Sequence, residues 1–138
     1  MKVENAVYPA RDQIKALLDN KSEEPIVMVN LLRFNERAAY KDDTHGDMSG
    51  VEAYRMYGER MRKIVESRGA RFIFTGTIDQ MVIGSVEEAW HMVALVEYPS
   101  RQAFAEITSL PEVSKIAVFR EAGLEGQLLI QAREASLS

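Results

Sequence analysis

Six side chains in this 138-residue chain have the type and setting to do chemistry. Asn30 and Arg33 interrupt "PIVMVNLLRF", residues 25–34, a run that otherwise reads as a strand buried on both faces. Period-two alternation puts Asn30 on one face with Met28 and Leu32, and Arg33 on the other with Val29 and Leu31. A buried amide without partners costs about 1–3 kcal/mol, so Asn30 either bonds a neighbouring loop or helix end or orients a ligand. Arg33 lies near the strand end. Its stem can cover apolar surface while its head forms a rim or interface ion pair, or it can bind a substrate carboxylate or enolate. His91, in "AWHMVALV", is the candidate general acid–base, because imidazole titrates nearest neutrality; its plainer role is that of a hydrogen-bonded structural histidine. Tyr54 and Tyr57, at helical spacing, join an apolar ring to a hydroxyl that either the core or a pocket can use. Arg120, near a helix end, suits the helix dipole and is a further ligand-binding candidate.

Other chemistries find few residues to use. With no cysteine there are no disulfides, cysteine nucleophiles, thiolate metal sites or cysteine-ligated iron–sulfur clusters. "KDDTHGD", residues 41–47, offers Asp42, Asp43, His45 and Asp47 as apparent metal ligands but lacks the spacing of a calcium loop. It reads as a solvated loop and a possible lid. No phosphate-binding loop, dinucleotide glycine fingerprint or nucleophile-elbow serine is present. The formal charge, 17 − 21 = −4, gives no bulk attraction for nucleic acid or an acidic membrane. The N-terminus lacks the apolar segment of a signal peptide, and no apolar run approaches the roughly 20 residues that span a bilayer. A cytoplasmic protein folded as a single domain over 1–138 is expected.

These residues need a frame. "YPARDQIKALLDN" predicts a short helix over 9–20, and Ile26–Phe34 a first strand. Ser49 with Glu52 has the form of a capping box, and Val51, Tyr54, Tyr57, Met61, Ile64 and Val65 continue a helical stripe to Gly69. "ARFIFTGTI" reads as a second strand, "DQMVIGSVEE" as the arm and turn of a hairpin, and "AWHMVALVEY" as a third strand enclosing His91. Ser100 caps a helix. Ser109 and Glu112 suggest another capping box, with Gly123 as the stop before "EGQLLIQAR", the fourth strand.

After the leading helix the order is βαββαβ, which predicts an α+β, ferredoxin-like fold with a four-stranded antiparallel sheet. Strands one and three are then antiparallel neighbours, and His91 falls beside Arg33 or Phe34. Helices cover one sheet face only. Strands apolar on both faces therefore imply a homodimer packed through the open face.

The segments "MVNLLRF", "EAYRMYGERM", "VALVEYPSRQAF" and "FREAG" resemble the domain of unknown function family thirteen-thirty, within the dimeric α/β-barrel superfamily. The resemblance covers a core of about 25–133 and leaves the helix over 9–20 as an extension. It implies the fold and the dimer. Relatives in the superfamily include cofactor-free monooxygenases, isomerases, haem enzymes and ligand sensors, so it implies no single chemistry. The expectation is a small-molecule-binding protein without a bound cofactor, whose pocket between sheet and helices takes an enolisable or aromatic metabolite. His91 would be its acid–base, with Asn30, Arg33, Tyr54, Tyr57 and Arg120 as ligand contacts. A non-catalytic ligand-binding or stress-associated homodimer is the alternative, and a haem protein ligated by His91 a second.

Overall fold

Alternation along Ile26–Phe34 (β1) buries Ile26, Met28, Leu32 and Phe34 on one side of the strand. The computed structural model describes residues 2–42 and 46–137. Its helices are α1 (Arg11–Asp19), α2 (Gly50–Ser67), α3 (Arg101–Thr108) and α4 (Pro111–Gly123). The remaining strands are β2 (Arg71–Thr77), β3 (Met92–Tyr98) and β4 (Leu124–Ala132). All neighbouring strands are antiparallel, in the order β2-β3-β1-β4. This is the ferredoxin-like α+β arrangement.

α2 begins as its sequence dictates. Ser49 accepts the Glu52 N–H and the Glu52 carboxylate accepts the Ser49 N–H, while Gly69 takes φ +84° just past the helix end. Ser100 caps α3 by accepting the Ala103 N–H. The second capping box does not form. Leu110 is the N-cap of α4 with Pro111 after it, and Ser109 instead donates its hydroxyl back to Ala105 O. Pro111 brings the φ of a first helical turn and has no N–H of its own to satisfy, which favours a helix start at this position.

Gly123 closes α4 without a left-handed turn. A Cβ there would lie 2.6 Å from Gly50 O and 2.9 Å from Tyr54 N, so the glycine lets α4 approach the start of α2. The link from β2 to β3 contains no strand arm, and β3 starts at Met92, leaving Trp90 and His91 just before it. His91 nevertheless continues the pairing, donating its N–H to Leu32 O and accepting the Ile78 N–H. Asp43, Thr44 and His45, part of the loop considered for metal ligation, lie outside the described residues.

The core beneath the helices forms two clusters. One gathers Ile26, Met28, Met61, Val65, Val96 and Phe104; the other gathers Leu32, Phe34 and Leu124, with Tyr54 and Met92 against them. Asn30 lies along β1 between the two. On the opposite face of the sheet, Val27, Val29 and Leu31 meet Val93, Leu95, Leu128 and Ile130.

Candidate functional site

The strand register decides what Asn30 meets. Asn30 pairs with Leu129 and Leu32 with Gln127, so the two amides are diagonal neighbours on the helix-covered face of β1 and β4. Gln127 donates Nε2–H to Asn30 Oδ1 at 2.8 Å, while Asn30 Nδ2 donates to Ala94 O at 3.2 Å and Met28 O at 3.3 Å. Both ends of the Asn30 amide are thus engaged within the protein. Gln127 Oε1 in turn accepts Arg120 Nη2 at 2.8 Å, and the same nitrogen donates to Val7 O at 2.6 Å. Asn30 positions Gln127, and Gln127 positions the guanidinium. Arg120 is therefore placed by this chain of bonds, beyond what a helix-dipole role requires.

Tyr54 and Tyr57 lie close by, with ring centroids 5.4 Å apart. Among the described residues neither hydroxyl has a hydrogen-bond partner, and Arg120 forms no ion pair. Burial raises both phenol pKa values; the neighbouring Tyr57 adds to the rise at Tyr54, and the Arg120 charge pulls both back. Both remain neutral O–H donors at physiological pH. Two phenol donors beside a positioned cation form a set suited to an oxygen anion, a carboxylate or an enolate. No base at neutral pH stands among Asn30, Gln127, Arg120, Tyr54 and Tyr57.

The other two candidates assemble separately, at the end of the sheet. His91 Nδ1 accepts the Phe34 N–H at 3.0 Å, which leaves the proton of the neutral ring on Nε2. Arg33 donates to Ala89 O and lies 3.5 Å from Glu125 and 3.8 Å from Glu88, and its Nε is buried without a partner. Glu125 is the extra residue of a bulge in β4, since Arg33 pairs with Gly126 and Phe34 with Leu124. Arg33, His91, Arg55 and Ser49 line an open cleft of about 560 Å³, with Phe34, Val51 and Met92 as apolar walls. Phe34 links the two assemblies: its ring centroid is 5.3 Å from that of Tyr54 and 5.9 Å from that of His91. The candidates form two groups, Asn30, Tyr54, Tyr57 and Arg120 in one, and Arg33 and His91 in the other.

Sequence reasoning missed Gln127, although an amide inside "EGQLLIQAR" is the same anomaly as Asn30. It also missed residues 5–8, whose contacts with Arg120 and Gln127 carry no local pattern. Arg101 was not singled out either. It is 5% exposed, with Nη1 unpartnered and a long Nη2 contact, 3.4 Å, to Gln131. Among groups of three or more His, Cys, Asp or Glu in the described residues, none is arranged to hold a metal ion. No helix among the described residues is long and apolar enough to cross a membrane.

The α+β sheet and its helices place the chain among ferredoxin-like proteins. More narrowly, the family described as "Domain of unknown function (DUF1330)" matches residues 44–132, and the chain belongs to that family. The crystal structure of RPA0582, a protein of unknown function from Rhodopseudomonas palustris, is similar at 31% identity with a TM-score of 0.86, over 96% of this chain and 99% of that one. Two more distant structures share the fold. SnoaB, a cofactor-independent oxygenase from Streptomyces nogalater, is 12% identical with a TM-score of 0.51, over 83% of this chain and 99% of its own. A Dabb family protein from Mesorhizobium loti is 14% identical with a TM-score of 0.51, over 81% and 98%. No curated protein matches the sequence.

Proposed function

We propose that the chain binds a small enolisable or aromatic acid between sheet and helices and acts on it without a bound cofactor. The carrying observation is Arg120: a guanidinium held by Gln127 and Asn30, without a carboxylate partner among the described residues, beside two unpartnered phenols. Such donors favour the charged oxygen of a carboxylate or of an enolate. The proton-transfer role falls to His91 as a donor: with Nδ1 held by the Phe34 N–H, the neutral ring carries its proton on Nε2 and can give it to an enol or enolate carbon. The cofactor-independent oxygenase among the fold's members lends the chemistry a precedent.

A second reading, ligand binding without turnover, draws on Phe34. Its ring lies against both Tyr54 and His91. The open cleft is lined by His91 but not by Arg120, Tyr54 or Tyr57, so the oxyanion donors and the imidazole do not share that cleft. A thermal-shift screen of enolisable acids, aromatic carboxylates, phenols and haem tests both. A ligand at about 100 times its dissociation constant adds roughly 2.7 kcal/mol, a shift of several degrees in a domain of this size. Arg120→Gln should abolish the shift, and a hit that survives it removes the site. His91→Gln should keep binding and lose product formation. Binding in the wild type with no product over hours favours the second reading.

We further propose that a second copy covers the open sheet face. Its centre is apolar, from Val29, Leu31, Leu95 and Leu128, and its edge is charged, with Arg71 paired to Glu97 and Arg33 to Glu125. An apolar centre within a polar rim is the usual anatomy of an interface.

A further inference from the structure

We propose that residues 5–8 form a displaceable strap over the Arg120 site, which an anionic ligand removes by taking the guanidinium from the Val7 carbonyl. The inference rests on the oxyanion reading of that site. The strap runs along the outer edge of β4, where Ala6 and Gln127 exchange both backbone hydrogen bonds, at 3.1 and 2.9 Å. Asn5 Oδ1 accepts the Trp90 indole N–H at 2.9 Å. Val7 O accepts Arg120 Nη2, Tyr8 donates to Glu121, and the Arg120 guanidinium lies 5.3 Å from the Tyr8 ring centroid.

Two features make this strap removable. None of residues 5–8 is buried, so undocking exposes little apolar surface and belongs to the low-stability end of local openings. Its hold on Arg120 is a neutral carbonyl, whereas a carboxylate would bring an opposite charge and a bidentate geometry to the guanidinium. The edge of β4 is also shaped for it. A Cβ on Gly126 would stand 2.7 Å from Asn5 Cβ, so only glycine lets the strap lie this close. A ligand that takes Nη2 competes with the Val7 carbonyl for that nitrogen, so strap and ligand weaken each other's hold.

Trp90 is the sole tryptophan, and its indole reports on the strap through Asn5. The test uses the full chain in three forms: wild type, Ala6→Pro, which removes the N–H donated to Gln127 O, and Gly126→Ala, which crowds Asn5 from the strand side. Neither position lies among the residues that would touch ligand. Benzoate and pyruvate are titrated, followed by thermal shift and by Trp90 emission. In the wild type, binding should move the emission to the red as Asn5 leaves the indole. Both variants should start from that emission and bind about tenfold tighter, the effect of one competing hydrogen bond to a charged group. Stabilisation of all three proteins with a single affinity and an unmoved Trp90 signal would overturn the strap and leave the site standing. Binding by none of the three would overturn both.

Discussion

An amide survives in the middle of β1 because both its oxygen and its nitrogen are engaged, and the bond to Gln127 is passed on to Arg120. The two phenols beside it set a different condition on the protein. Burial raises the Tyr54 and Tyr57 pKa values above the ordinary 10.0. A raised folded-state value means that the native state holds its protons after the unfolded chain has begun to lose them. The stability this contributes is present below pH 10 and lost as pH rises through the folded values. Thermal unfolding followed from pH 7 to 11 should therefore show a decline beginning near pH 10 that is shallower in Tyr54→Phe. An unchanged alkaline limb in that variant would show that Tyr54 ionises as freely as in water. At this scale the sequence marked the unusual residues one by one, since an amide in a strand or a histidine beside one violates pattern. It did not mark their partners. The Asn30–Gln127 contact depends on a register that no local pattern specifies, and the two candidate groups part at Phe34, an ordinary core residue in the sequence.

Elements bring these side chains together through two close approaches. Gly50 fits against the Asn35 backbone, and Gly123 against Gly50 and Tyr54, so β1, α2 and α4 meet at one end of the sheet. Gly123→Ala places a methyl group 2.6 Å from Gly50 O and 2.9 Å from Tyr54 N, where backbone has to move. Overpacking of this kind costs typically about 1–3 kcal/mol, and here it would displace Tyr54 from Arg120. Chemical denaturation should show a loss in that range together with weakened ligand binding; a stability equal to wild type would mean that the helices separate freely. The helices and strands that form were legible, because alternation and helical stripes are local properties, but the hairpin arm expected in "DQMVIGSVEE" is no strand. Ser49 and Glu52 behaved as their spacing implied, but Ser109 and Glu112 did not, since Pro111 moved the helix start by one residue. Gly123 was legible as a boundary, but the neighbour that requires it lies 73 residues away at Gly50, beyond any local pattern.

For the whole molecule, the unbalanced surface is the far face of the sheet. The helices bury Ile26, Met28, Leu32 and Phe34, while Leu31 projects from β1 to the other side between Val93 of β3 and Leu128 of β4. Water is a poor cover for so continuous an apolar strip, and a second copy offers an identical strip for a two-fold contact. Leu31→Glu places a charge at the centre of that contact, where burying it unpaired would cost several kcal/mol. In the single subunit the same glutamate faces solvent, so helix content by circular dichroism should stay near wild type. Light scattering at micromolar concentration should then give a wild-type mass near 31 kDa, twice the 15.6 kDa chain, and a mass near that of one chain for the variant. A monomeric wild type would refute the dimer and leave the strip solvated. Its effect on ligand binding separates the two scales, since the Arg120 site is built within one subunit and should keep its affinity in the monomeric variant.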